Sequence, residues 1–307
     1  MKPAVFLALP LGKPFERKLA ERYTAVTDPE KRGEAEALIT IGANATDAAL
    51  MDAMPKLKLI CCFGSGHEGV DVTEAERRGI EVANTVGANA ATVADLAVAL
   101  LLASVRQVVT GDRLTRAGTW RGGNPASLLF LRGLSGRKIG IVGLGAIGLK
   151  IAKRLEGFET EIGYFGRNEK QGVPYRYFRS ALDLATWADT LILAHRAGET
   201  NRHLVNATVL KALGPEGHIV NISRGSAIDE DALIAALKNG TIAGAALDVF
   251  EDEPNPRADL VTLPNIVVTP HIGGGTLEAI VAMGDAVIAN LDAFFSGKPL
   301  PNPVTAA

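Results

Sequence analysis

The sequence is short of cysteine: Cys61 and Cys62 are its only two, and they are neighbours. Adjacent cysteines do not form an ordinary structural disulfide with each other and supply no metal-ligand spacing, which excludes a stapled scaffold and a cysteine metal site. They read as thiols on a buried strand. Charge of one sign is lacking too. Lys and Arg number 32 against 34 Asp and Glu, for a formal net charge of −2. No basic run offers a footprint for phosphate backbones, so nucleic acid is not an expected partner. Long apolar runs are also missing. Leu96–Ala103 and the glycine-broken Ile139–Leu149 fall well short of the ~20 residues that span a bilayer, so no membrane partner is expected. The apolar start Ala4–Leu9 stops at Pro10 with no small-residue cleavage site. It reads as a first strand rather than a signal peptide, and a cytoplasmic location is the expectation.

What is present is an average globular composition, 47% hydrophobic and 21% charged over 307 residues, enough for two domains at ~100–200 residues each. Short apolar runs alternate with helical patterns, which argues βαβ units, a parallel sheet and the α/β class. In the first third Ala4–Leu9, Ala37–Ile41, Lys58–Phe63 and Ile80–Ala83 read as strands. Phe15–Arg22, Asp47–Met54 and Val72–Arg78 read as helices between them. One long helix is expected from Thr92 to Val109, with Thr92 and Asp95 as its start signal, bridging into a second domain. From there Lys138–Val142, Glu161–Phe165, Thr190–Ala194, His218–Ile222, Ala243–Val249 and Ile266–Thr269 supply the six strands of a doubly wound sheet. A final helix, Thr276–Phe295, ends at Gly297 with Pro299 as a stop.

Gly143-Leu144-Gly145-Ala146-Ile147-Gly148 follows one of these strands and opens a helical stretch, the context a dinucleotide-binding loop requires. The first glycine allows the tight turn, the second lets backbone N–H groups approach a pyrophosphate, and the third lets helix and strand pack closely. At the end of the next strand an NAD-preferring site would carry a carboxylate for the ribose 2′-hydroxyl. This chain has Gly166-Arg167-Asn168 there, and Glu161 sits at the wrong end. An arginine in that place can grip a 2′-phosphate, so NADPH is the expected cofactor, with NADH possible.

In an open α/β sheet, ligands bind outside the carboxyl ends of the strands. Just past three of them come Arg224, Glu253 and His271, and Asp248 stands at a strand's end where it could meet a nicotinamide. The trio suits a 2-oxo acid. Arg224 can clamp a carboxylate and polarise the adjacent carbonyl, while His271 passes a proton to the oxygen as hydride arrives. Glu253 would orient the imidazole and favour its charged form.

These blocks, Asn221-Ile222-Ser223-Arg224-Gly225, Leu247-Asp248-Val249-Phe250-Glu251-Asp252-Glu253-Pro254 and Pro270-His271-Ile272-Gly273, with the glycine loop, resemble the D-isomer-specific 2-hydroxyacid dehydrogenases over nearly the whole chain. The resemblance implies two domains: a Rossmann nucleotide-binding domain, residues 94–275, inserted into a flavodoxin-like substrate domain, residues 1–93 and 276–307. It carries Arg224, Glu253 and His271 over as the catalytic triad, Ser65 and Gly66 of Phe63-Gly64-Ser65-Gly66 as substrate contacts, and Gly273 as a cofactor contact. The pattern at Arg167 is similar to that of the NADPH-using glyoxylate and hydroxypyruvate reductases. Trp120 matches a position on a dimerisation arm that reaches the neighbouring subunit's pocket. One departure is His195-Arg196-Ala197-Gly198, where many relatives have a proline-containing segment lining the cofactor's ribose. His67, His203 and His218 match no catalytic block and read as structural or surface residues. The implied activity is NADPH-dependent reduction of small 2-oxo acids, glyoxylate and hydroxypyruvate, by a homodimer. The rivals are an NAD-dependent D-2-hydroxyacid dehydrogenase for a bulkier substrate and a cofactor-sensing, corepressor-like binding protein.

Overall fold

The computed structural model describes residues 2–120, 128–196 and 198–306. The chain divides into two compact units, one of residues through Asn89 together with those from Gly274 on, the other of Ala90–Gly273.

The first unit opens with β1 (Ala4–Leu7), α1 (Lys13–Arg22), β2 (Thr24–Val26), β3 (Ala37–Thr40), α2 (Ala48–Asp52), β4 (Leu59–Cys62), α3 (Val72–Arg77) and β5 (Glu81–Ala83). Every residue of β3 and β4 is buried, which is why these strands read as continuous apolar runs rather than alternating ones. Helices α2 and α3 start where the carboxylates of Asp47 and Asp71 accept the N–H groups of Leu50 and Glu74 at 3.0 and 2.9 Å.

The second unit begins with α4 (Ala90–Val105) and α5 (Val108–Arg116). The single expected helix is therefore two. Gln107 adopts a left-handed conformation, φ 51°, and ends the first helix without glycine or proline. The expected start signal was misread as well. Thr92 Oγ1 donates to the Gly273 carbonyl at 3.1 Å and Asp95 pairs with Arg154 at 2.6 Å, so both side chains make tertiary bonds and the helix starts at Ala90. Buried Val93, Ala94, Ala97, Leu100 and Leu101 give α4 a core-facing stripe at helical spacing.

Then follow β6 (Lys138–Val142), α6 (Ala146–Glu156), β7 (Glu161–Phe165), β8 (Arg176–Phe178), α7 (Ala181–Trp187), β9 (Thr190–Leu193), α8 (Ala207–Leu213), β10 (His218–Asn221), α9 (Glu230–Lys238), β11 (Gly244–Leu247), α10 (Ala258–Val261) and β12 (Ile266–Val268). All seven strands are parallel, in the order β12-β11-β10-β9-β6-β7-β8, the doubly wound Rossmann arrangement. Successive residues Leu191, Ile192 and Leu193 alternate between two apolar cores, one on each face. The order reverses between β6 and β9, so the crevice lies where β6, β7 and β9 end.

The chain then returns to the first unit with α11 (Leu277–Phe295), whose start Thr276 caps by accepting the Ala279 N–H at 3.2 Å, and β13 (Pro303–Val304). The first sheet runs β13-β5-β4-β3-β1-β2, parallel except for the β13 edge, in the flavodoxin order. Val287, Ile288 and Leu291 of α11 share a core with Cys61, while Cys62 faces the core on the other side of the sheet. Burial pushes both thiols far above their ordinary range. Among the described residues no single helix is long and apolar enough to cross a membrane.

Candidate active site

The glycine loop turns on sterics. Gly143 has φ +93°, and a Cβ there would lie 2.5 Å from His195 Cα, so the tip of β6 passes the tip of β9 only without a side chain. A Cβ on Gly148 would meet the Gly143 carbonyl oxygen at 2.2 Å, which fixes how closely α6 approaches the turn it leaves. Gly145 is different. It caps α6 without any side-chain bond, and a Cβ there would meet nothing within 4 Å. Gly145 and Ala146 are exposed and Ile147 is half-buried, leaving the first-turn N–H groups of α6 facing open space. An uncapped helix start with room above it fits the diphosphate of a dinucleotide.

Arg167 and Asn168, just past β7, are exposed, and among the described residues no carboxylate pairs with Arg167. Past β9, His195 has both ring nitrogens buried without a hydrogen-bond partner, and burial lowers its pKa to about 4, so the ring is neutral. Arg196 is exposed, and Ala197 of this segment lies outside the described residues.

At the end of β10, Asn221 fixes the turn that carries Arg224. Its side chain is buried, accepts the Ser223 N–H at 3.0 Å and donates to the Arg224 carbonyl at 2.8 Å. Sequence reading missed this role, although Asn221 opens the same block. Arg224 itself is half-buried, and its Nη1 donates to the Ser223 carbonyl at 2.7 Å. Past β11, Glu253 Oε1 accepts the Phe250 N–H at 2.9 Å, and its Oε2 lies 2.7 Å from His271 Nδ1. His271, past β12, has φ 51°, a left-handed conformation that a non-glycine residue holds only where its surroundings impose it. The structure thus brings Glu253 and His271 into direct contact and sets Arg224 where its charge acts on both.

The hydrogen bond that His271 donates to Glu253 raises the His271 pKa above the ordinary histidine value, against burial and the Arg224 charge. Burial pushes Glu253 upward, but its bonds with His271 and the Phe250 N–H outweigh that and hold the carboxyl below its usual value. With Nδ1 engaged, Nε2 is the ring atom left for a ligand.

Asp248 is 2% exposed and heavily engaged. Oδ1 accepts Thr269 Oγ1 at 2.6 Å and the Ile272 N–H at 2.9 Å, and Oδ2 accepts the Gly273 N–H at 2.9 Å. It ties down the turn that presents His271.

In the other unit, Phe63–Gly66 follows β4. Gly64 has φ +129° and donates to Thr85 Oγ1 at 2.9 Å, and the Ser65 carbonyl accepts Asn84 Nδ2 at 3.0 Å. A Cβ on Gly42 would lie 2.2 Å from the Gly66 carbonyl carbon, so the loop rests directly on the end of β3. No hydrogen bond among the described residues uses the Ser65 or Gly66 N–H. Trp120 is 58% exposed. His67 and His218 are buried, the latter 3.0 Å from Ser104 Oγ, and His203 lies 3.5 Å from Glu251. No cluster able to hold a metal ion occurs among the described residues.

Residues 98–273 match the NAD-binding domain of the D-isomer specific 2-hydroxyacid dehydrogenases. The chain is 39% identical over 310 residues to hydroxyphenylpyruvate reductase of Plectranthus scutellarioides, covering 98% of both chains. It is equally 39% identical over 310 residues to a glyoxylate/hydroxypyruvate reductase of Arabidopsis thaliana, again covering 98% of both. A crystal structure of an NADPH-dependent glyoxylate/hydroxypyruvate reductase from Sinorhizobium meliloti, in complex with NADP and malonate, superposes with a TM-score of 0.90 at 37% identity, covering 99% of this chain and 97% of that one.

Proposed function

The chain belongs to the D-isomer specific 2-hydroxyacid dehydrogenase family and is an NAD(P)H-dependent oxidoreductase, and from that premise we propose that it reduces glyoxylate and hydroxypyruvate with NADPH as the preferred donor. The observation that carries the reading is the 2.7 Å bond between Glu253 and His271 beside the Arg224 charge. A 2-oxo acid presents a carboxylate next to a carbonyl, and these three groups answer both.

The Arg224 guanidinium holds the carboxylate and draws electron density from the carbonyl oxygen. By the family resemblance, the Ser65 and Gly66 N–H groups are substrate contacts. Protonated His271 donates its Nε2 proton to the carbonyl oxygen, and Glu253 stabilises the imidazolium until that transfer. The reduced dinucleotide, when bound, supplies the hydride that C2 accepts, so the carbonyl becomes a hydroxyl and the ring is left neutral. In the oxidative direction His271 acts as the base. The glycine loop and the α6 N-terminus would hold the diphosphate, and Arg167, unpaired among the described residues, supports NADPH over NADH through the 2′-phosphate.

A homodimer is part of the reading, supported by the exposed apolar side chains Val108, Trp120 and Phe130. Likeness to hydroxyphenylpyruvate reductase favours a second reading, a bulkier 2-oxo acid as substrate.

The test follows reduced-nicotinamide absorbance with glyoxylate, hydroxypyruvate and 4-hydroxyphenylpyruvate, each with NADPH and NADH. Fast turnover of the two small acids with NADPH is expected. His271→Ala should lower kcat by about a thousandfold or more while NADPH binding, read by fluorescence, stays within about twofold. Turnover of the aryl acid alone selects the second reading, and activity surviving in His271→Ala removes this histidine from the chemistry.

A further inference from the structure

Residues 249–257, between β11 and α10, carry Glu253 but belong to no helix or strand. Side chains from elsewhere therefore have to hold them. Two consecutive N–H groups at the start of this loop are each taken by a carboxylate: Phe250 by Glu253, and Glu251 by Glu230 Oε1 at 2.9 Å. Glu230 is the first residue of α9 and is 6% exposed. It is not needed as a cap, because Asp229 already accepts the Ala232 N–H at 3.1 Å. Acidic residues in a first helical turn usually stand in solvent and gain from the helix dipole. A buried carboxylate is costly unless it is engaged, and this one is engaged with the loop.

We propose that Glu230 is a positioning residue for proton transfer: by holding the Glu251 N–H, its buried carboxylate sets how Glu253 meets His271. The inference rests on the reading of Glu253 and His271 as the proton-transfer pair. Neighbouring contacts point to the same anchoring. A Cβ on Gly225, next to Arg224, would lie 1.9 Å from the Phe250 carbonyl carbon, so the arginine turn is seated on this part of the loop. The Glu251 side chain is gripped by Arg202 and lies 3.5 Å from His203 Nε2. Glu251 is thus held by its side chain from one segment and by its N–H from another. Without Glu230 the Glu251 N–H loses its acceptor, the peptide shifts within its remaining contacts, the adjacent Phe250 N–H shifts with it, and the bond that aims Glu253 Oε2 at His271 is weakened. The charged groups that face His271 are Glu253, Arg224 and Asp248, so a retreat of Glu253 leaves the Arg224 charge less opposed.

The experiment titrates His271 in the full chain by imidazole NMR, with the signal assigned by its loss in His271→Asn, and measures kcat for 2-oxo acid reduction against pH. Glu253→Gln is the control on the underlying reading and should lower the His271 midpoint. Glu230→Met fills the same space without an acceptor and should lower the midpoint by about one pH unit, with a roughly tenfold loss of kcat on the alkaline side. Glu230→Asp keeps the charge but withdraws it by one methylene and should act in the same direction, which decides the matter if the Met variant does not fold. Glu230→Gln keeps a carbonyl acceptor and should restore most of the loss. A His271 midpoint unmoved in the Met or Asp variant would overturn the proposal and leave Glu230 as a packing residue. A midpoint unmoved in Glu253→Gln would instead bring down the proton-transfer reading, and this inference with it.

Discussion

A histidine that gives up a proton during reduction must hold one beforehand, and Glu253 sees to that by raising the His271 pKa above the ordinary value. The sign follows directly. Reduction needs the imidazolium, so kcat should be level at low pH and fall as pH rises through the raised His271 value, while the oxidative rate rises through the same value. Glu253→Gln removes the charge that raises it, so the alkaline limb of reduction should move to lower pH. A limb that stays in place in a pH-rate profile would mean that another group titrates. Arg167 decides the cofactor at the same scale. It is exposed and unpaired among the described residues, so Arg167→Asp replaces a phosphate grip with a like charge. NADPH affinity should drop by about tenfold or more with NADH affinity little changed, and equal losses for both in fluorescence titrations would reject the role. These residues were legible because each follows a strand end. The bonds that hold them were not. Asp248 makes three bonds to the His271 turn, and Asn221 two around Arg224, through side-chain directions that spacing does not encode.

Elements obey the same division between what pattern carries and what packing decides. Strands with buried apolar runs, such as β6 and β10, could be read from sequence. Edge strand β2 could not, since its three residues are mostly exposed, and β8 and β13 are too short to show a period. The break between α4 and α5 carries no glycine or proline, only the left-handed Gln107. The glycine loop offers a test in which two similar substitutions should part company. Gly148→Ala would push a Cβ to 2.2 Å from the Gly143 carbonyl oxygen, forcing α6 off its turn. It should cost about 1–3 kcal/mol in denaturant unfolding. Gly145→Ala meets no protein atom within 4 Å and its φ of −81° suits any residue, so stability should hold. Its methyl group occupies the space assigned to the diphosphate, and NADPH binding should weaken by about tenfold or more. If Gly145→Ala binds NADPH as the wild type does, the diphosphate lies elsewhere.

At the scale of the whole chain, the two units differ in how the sequence builds them. Ala90–Gly273 is one continuous stretch, and both of its apolar cores are composed of its own residues. The other unit is assembled from the two ends of the chain, with α11 completing a core begun by β1, α1 and β4. The continuous stretch includes the glycine loop, Arg167, Arg224, Glu253 and His271, and excludes Ser65 and Gly66. Expressed alone, residues 90–273 should unfold in a single cooperative transition and bind NADPH with an affinity within about tenfold of the full chain, because the cofactor-holding groups named above all lie inside it. It should not reduce glyoxylate at a measurable rate, since the loop proposed to contact the substrate is missing. Calorimetry and fluorescence titration read the first two outcomes, and reduced-nicotinamide absorbance the third. Binding lost in a folded fragment would mean that the first unit supplies cofactor contacts, whereas turnover by the fragment would show that Ser65 and Gly66 are dispensable and that Arg224 alone secures the substrate.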